Sequence, residues 1–279
     1  MELVGFVLVT TRTMNVFVKL LLALCVFPGV LFSQTVYAEN DSVVTAQSPK
    51  NRVALLELYT SEGCSSCPPA EKWLSNLNDS GISSQQLIPL AFHVTYWDYI
   101  GWQDQFASKQ YDQRQRQIAR YNSQETIYTP QFVLGGNDYR TYNQFTSDVR
   151  EIVSQESVVD LKLSAQKEDA LTIGVELYAD IGRSDVKDAA LYIAVYENDL
   201  SVDVEDGENE GELLHHDYVV RNLYGPSIQS MPDEIKTLKL STVIDKDWKR
   251  GDLYLVAFAQ NPHTGEVLQA VRLNLQEVD

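Results

Sequence analysis

The chain has 279 residues, with 22 Lys and Arg against 39 Asp and Glu, and 44% of it is hydrophobic. That length and apolar content fit one large or two ordinary globular domains and exclude a disordered chain. A formal net charge of −17 excludes a nucleic-acid partner, which needs a concentrated basic footprint that no Lys/Arg run here supplies.

Residues 1–38 read as a processed export signal. Lys19 precedes an apolar run over residues 20–32, and Val36-Tyr37-Ala38 sets small residues where a signal peptidase reads, so cleavage is expected before Glu39. The run is about 13 residues, short of the ~20 that a membrane-spanning helix needs, so no stable membrane span is expected after cleavage. Met14 offers an alternative start with a more compact basic region. Leu24 stands before Cys25 where lipid attachment needs a small residue, which argues against a lipoprotein. Cleavage removes one of the three cysteines and leaves Cys64 and Cys67. The expected location is periplasmic or secreted.

Residues 39–50 are polar and aperiodic, a flexible lead-in. Residues 52–60 (RVALLELYT) form a continuous apolar run expected of a buried strand. From Cys64 to about Leu77 the spacing of Ala70, Trp73, Leu74 and Leu77 is helical. Residues 87–97 read as a second strand, and 106–121 as a polar helix with Phe106, Tyr111, Ile118 and Tyr121 as its buried points. Residues 126–134 (TIYTPQFVL) read as a third strand carrying Pro130, the glycine pair at 135–136 turns into a short strand at 139–141, and 145–154 closes the unit as a helix. Beyond Val158 every apolar segment has strand length and no long helical period appears. The acidic stretch 203–212 (DVEDGENEGE) reads as a solvated loop.

The order β-α-β-α-β-β-α, with C-x-x-C at the first strand-to-helix junction and a proline entering the third strand, matches the thioredoxin fold. The expected architecture is therefore an α/β thioredoxin-like domain over 51–156, carrying an insertion at 96–105, followed by an all-β, sandwich-like domain over 157–279.

The chemistry centres on Cys64 and Cys67. A cysteine at a helix start meets unpaired N–H groups and the positive end of the macrodipole, which favour the thiolate that performs disulfide exchange. Cys64 reads as the accessible attacking thiol and Cys67, one turn further in, as the resolving thiol. Pro130 reads as a cis proline facing the pair. Glu57 on the first strand reads either as a proton relay or as a satisfied carboxyl. His93 reads as a base for Cys64, a soft-metal ligand, or a satisfied core histidine. Trp97, Asp98 and Trp102 are expected to pack the insertion over the site. His215 and His216 point to opposite strand faces and so do not both bind one ion. His263 reads as a turn residue.

The segments LELYTSEGCSSCPPAE ending at Glu71, AFHVTYWDYIGWQDQFA (91–107), YTPQFVLGG (128–136) and GENEGELLHHDYVVRNL (207–223) extend beyond a generic redox motif. With them the chain resembles the bacterial secreted proteins of domain-of-unknown-function family 1223. The resemblance implies a thioredoxin-like domain with a β-rich extension, exported in Gram-negative bacteria, without an assigned activity. Against thioredoxins, Gly63 replaces the usual Trp and Ser65-Ser66 the usual Gly-Pro. The first functional reading is a thiol-disulfide oxidoreductase without further cofactor, acting on protein or peptide thiols or a redox partner. Two alternatives stand beside it: a copper binder using Cys64, Cys67 and His93, and a non-catalytic periplasmic binding module.

Overall fold

A computed structural model describes residues 43–182, 186, 188–230 and 236–278. The expected leader, its cleavage site and Cys25 lie outside the described residues. Strand β1 (Val44–Gln47) leads to β2 (Ala54–Thr60), helix α1 (Pro68–Ser75), β3 (Leu87–His93), helix α2 (Lys109–Tyr121), β4 (Gln131–Leu134), β5 (Asn137–Tyr139) and helix α3 (Phe145–Val153). Strands then follow one another: β6 (Asp160–Lys167), β7 (Thr172–Asp180), β8 (Asp188–Glu197), β9 (Leu200–Asp203), β10 (Leu213–His216), β11 (Val219–Ser230), β12 (Lys236–Val243), β13 (Leu253–Gln260) and β14 (Val267–Asn274). Among the described residues, no helix is long and apolar enough to cross a membrane.

Eight strands make one mixed sheet in the order β14-β13-β8-β11-β3-β2-β4-β5. Within it β2 and β3 are parallel, Thr60 lying opposite His93, while β4 runs antiparallel to β2. The junction between the two halves of the chain is β11, parallel to β3 at Val219 beside Ala91 and antiparallel to β8. A second, antiparallel sheet has the order β1-β6-β7-β12, and β9 pairs with β10.

This topology corrects the expected fold. The chain is mostly β, and it does not form an α/β thioredoxin-like domain followed by a separate sandwich. The β3–β11 pairing carries a single sheet through the position where the sequence suggested a boundary. The reason lies in β8, whose run DAALYIAVYE is almost wholly buried. Leu191, Ile193 and Val195 face the second sheet, while Tyr192, Ala194 and Tyr196 face the cluster that includes Tyr59, Phe92 and Ile118. A strand apolar on both faces needs cover on both sides, and here the cover on one side comes from the first half of the chain. Residues 44–47, expected in a flexible lead-in, pair as β1 with β6, Val44 opposite Ala165.

Helix α2 supplies much of that cover. Ser108 caps it by accepting from the Gln110 N–H at 3.3 Å, and Tyr111, Arg114, Gln115 and Ile118 form its buried stripe. The Arg114 guanidinium lies 4.7 Å from the Tyr192 ring centre and 4.9 Å from that of Phe258. It also binds Glu57 of β2 at both carboxylate oxygens, 2.6 and 2.7 Å away. One side chain thus ties the first half of the sheet to the second.

Candidate functional site

Cys64 and Cys67 are joined as a disulfide at the entry to α1. The helix begins later than its apolar spacing suggests, because Pro68 and Pro69 occupy its first two positions and Cys67 is the N-cap. Those prolines have no N–H to offer. The next donors, Ala70 and Glu71, are spent on the Cys67 carbonyl. The N–H groups expected to support a thiolate are therefore absent or engaged. Ser66 takes that place, its hydroxyl lying 3.3 Å from Cys64 Sγ.

Cys64 is not the accessible thiol that its motif implied: both cysteines are 0% exposed. Two layers cover them. From the segment expected as an insertion, Trp97 and Ile100 lie so close to Gly63 that a Cβ there would come within 3.3 Å of both side chains. The Trp97 indole also donates to Thr129 Oγ1 at 2.7 Å, which holds the cis Thr129–Pro130 bond next to the motif's cover. The second layer is the acidic stretch, which is not simply solvated. Glu208 accepts from the Ser65 N–H at 3.1 Å and the Ser65 hydroxyl at 2.6 Å, and these donors hold its carboxyl below the usual range. Asn209 is buried and donates to the carbonyls of Glu62 at 2.7 Å and Cys64 at 3.2 Å.

Beside the disulfide lies a buried cluster of carboxylates and imidazoles. Glu62 and Glu71 bracket the motif in sequence, His93 ends β3, Asp104 lies near the end of the inserted segment, and His216 ends β10. His93 Nδ1 donates to Asp104 at 2.7 Å, and Asp104 also accepts from the N–H groups of Glu62 and Phe106, each at 2.9 Å. Glu71 accepts from Thr60 Oγ1 and from His216 Nδ1. Trp102 donates to Glu62 at 2.6 Å. The His93 and His216 rings meet edge to face at 5.1 Å.

The electrostatics follow from this packing. Burial and the nearby Asp104 push the Glu62 carboxyl up to about 7. Burial alone would push His93 down, but the Asp104 charge and hydrogen bond outweigh it and hold the imidazole up, at about 9. Burial would likewise raise Glu71 and Asp104, yet the imidazoles beside them hold both carboxyls below the ordinary range.

The sequence-derived site residues do not form one group. Cys64 and Cys67 form the buried disulfide, Pro130 follows a cis bond and is linked to that region through Thr129 and Trp97, and His93 belongs to the adjacent cluster with Asp104, Glu71 and His216. Glu57 is satisfied by Arg114 and by the Tyr59 hydroxyl at 2.8 Å, so no proton relay is assigned to it. Asp98 lies at the edge, its carboxylate 3.4 Å from the Asp104 N–H. His215 and His216 do face opposite ways, only His216 being buried. Local sequence does not show the pairing of His216 with His93 across the fold. Nor does it single out Glu62, Glu71, Asp104 and Asn209, although all four lie inside the segments that carry the family resemblance.

A strand-dominated fold with one mixed sheet, a covered C-x-x-C disulfide and an acid–imidazole cluster at its edge defines the class. The chain belongs to the family of proteins of unknown function designated DUF1223, which it matches over residues 55–260. Among solved structures it is similar to protein AGR_C_4864 from Agrobacterium tumefaciens, with 23% identity and a TM-score of 0.56 over 83% of this chain and 98% of that one. It is also similar to HBP35 of Porphyromonas gingivalis, with 13% identity and a TM-score of 0.63 over 83% of this chain and 78% of that one. At these identities the likeness concerns the fold alone. No curated protein matches the chain.

Proposed function

We propose that this is an exported thiol-disulfide exchange protein whose Cys64–Cys67 pair alternates between disulfide and dithiol. In one turnover a partner thiolate attacks Cys64 Sγ, forming a mixed disulfide and releasing Cys67 as a thiolate. A second partner thiol then attacks the partner's own sulfur in that mixed disulfide and releases Cys64. The partner loses two electrons and two protons and closes its disulfide; Cys64 and Cys67 gain them. The reverse sequence reduces a partner disulfide, with Cys64 attacking and Cys67 resolving. The substrate class is a peptide or protein dithiol or disulfide.

The observation that carries this reading is the nature of the cover. The disulfide is hidden by polar contacts from one exposed loop, Glu208 on Ser65 and Asn209 on the Cys64 and Glu62 carbonyls, and not only by apolar core. Loops held in this way open locally at far lower cost than global unfolding, so a buried pair beneath one stays reachable. The reduction potential tests the reading, measured by equilibration in thiol buffers followed by alkylation. A value between about −270 and −120 mV, the span of exchange catalysts, is expected. A value below about −300 mV is that of a structural disulfide and overturns the proposal.

A further inference from the structure

Three buried polar atoms of the cluster have no hydrogen-bond partner: Glu62 Oε1, His93 Nε2 and His216 Nε2. Their residues are 0%, 0% and 2% exposed. Both imidazoles spend their Nδ1–H on carboxylates, His93 on Asp104 and His216 on Glu71. With Nδ1 so engaged, Nε2 is the nitrogen each ring has left for a ligand, and a cation there would displace the proton that the carboxylates hold on His93 in its absence. Glu62 Oε1 stands 3.6 Å from His216 Nε2, too far for a hydrogen bond. One ligand atom each of Glu71, His93 and His216 fall within 4.8 Å of one another, so the two rings share one buried cluster, and Glu62 joins it through its approach to His216. Buried polar atoms are normally satisfied, and these three are not.

The surroundings have the form of a metal site's outer shell. Metal-binding histidines almost always donate their second nitrogen to a carboxylate or carbonyl, and both do so here. The bound oxygen of Glu62, Oε2, is fixed by the Trp102 indole. Glu62, Glu71 and Asp104 bring three carboxylates against two imidazoles, an excess of negative charge that suits a divalent ion.

From these contacts we propose that Glu62, His93 and His216 bind one divalent first-row transition ion, with zinc the best match for two imidazoles and a carboxylate. Glu71, bound at Nδ1 of His216, and Asp104, bound at Nδ1 of His93, position the two rings. The ion joins β3, β10 and the loop that leads into the C-x-x-C motif. The assignment is independent of the thiol-exchange reading, since it uses neither cysteine.

The test takes the whole protein, purified without a histidine tag, stripped with a chelator and titrated with Zn²⁺ against a chromophoric competitor and with Co²⁺ by absorption. One equivalent of either ion is expected, and the cobalt spectrum should show d–d bands without a thiolate charge-transfer band. Replacing both cysteines by serine should leave affinity unchanged. Glu62→Gln, which keeps the size of the side chain, should weaken zinc about ten-fold or more, and Asp104→Asn about 10–100-fold, as loss of an outer-shell partner does. Failure of the stripped wild-type protein to take up either ion overturns the site. So does a thiolate band, loss of binding in the serine variant, or wild-type affinity in Glu62→Gln. Should the variants not fold, the stoichiometry and cobalt spectrum of the unaltered protein decide the matter alone.

Discussion

Asn209 is the residue placed to hold the acidic loop against the disulfide motif. Its amide bonds two carbonyls of the motif, those of Glu62 and Cys64, from a loop otherwise rich in exposed acids. Asn209→Ala leaves both carbonyls to find water, at a cost of about 1–2 kcal/mol to the closed loop. A change of that size alters a population ratio by roughly 5–30-fold. Reduction of Cys64–Cys67 by dithiothreitol under native conditions should therefore accelerate by a comparable factor, followed by alkylation and mass spectrometry. A wild-type rate would show that the loop does not control access. Glu208→Gln, which weakens an exposed contact to Ser65, should give a smaller acceleration, because ion-assisted bonds at the surface are screened. At this scale the sequence is legible where chemistry is contiguous. Cys64, Cys67 and the nearby prolines announce a reactive pair because they are adjacent. His93 draws notice as a lone histidine on a strand, but its meaning depends on Asp104 and His216, which reach it through pairings that no local pattern records.

Among the elements, α2 shows how a polar sequence earns a buried position. Its composition reads as a surface helix, yet Arg114 is 4% exposed because Glu57 neutralises it and the rings of Phe92, Tyr192 and Phe258 surround it. Removing one member of such a pair strands the other charge, which costs about 3–5 kcal/mol, whereas replacing both by apolar residues of similar volume is often neutral. Arg114→Met should lower the urea midpoint accordingly at an unchanged slope. The double variant Arg114→Met/Glu57→Leu should recover most of the loss. A single variant with wild-type stability would mean that the buried pair contributes no net stability. The elements themselves were largely readable. Buried strands such as β2 and β8 show as unbroken apolar runs, and β6 shows as alternation, with Leu161, Leu163 and Ala165 turned inward. Boundaries moved more than types. The start of α1 comes late because two prolines fit a first turn as easily as the loop before it. Strand β3 ends at His93 short of the expected 97, β4 begins only after Pro130, β5 lies over Asn137–Tyr139 and α2 begins at Lys109.

Over the whole molecule the sheet order decides how the protein unfolds. Reading the strands in sequence suggested two domains, because the first half carries all three described helices and the second only strands. What joins them is the pairing of β3 with β11 and the packing of α2 on β8 and β13, long-range contacts between segments that each look locally complete. Tyr192, Tyr196 and Phe258 are 2%, 0% and 0% exposed, and all three belong to the cluster shared with β2, β3 and α2. Burying three aromatic side chains of about 150–250 Å² each, at about 25 cal/mol per Å², is worth about 11–19 kcal/mol as an upper estimate. That is comparable to the total stability of a typical domain, so residues 157–279 are not expected to hold their fold alone. The intact protein should unfold in urea in one transition. Tryptophan fluorescence, from Trp73, Trp97, Trp102 and Trp248 in both halves of the chain, should coincide with far-ultraviolet circular dichroism. The isolated 157–279 fragment should show no cooperative transition. Two resolved transitions in the intact chain, or a fragment that unfolds cooperatively, would mean that the β3–β11 seam divides two independently stable units.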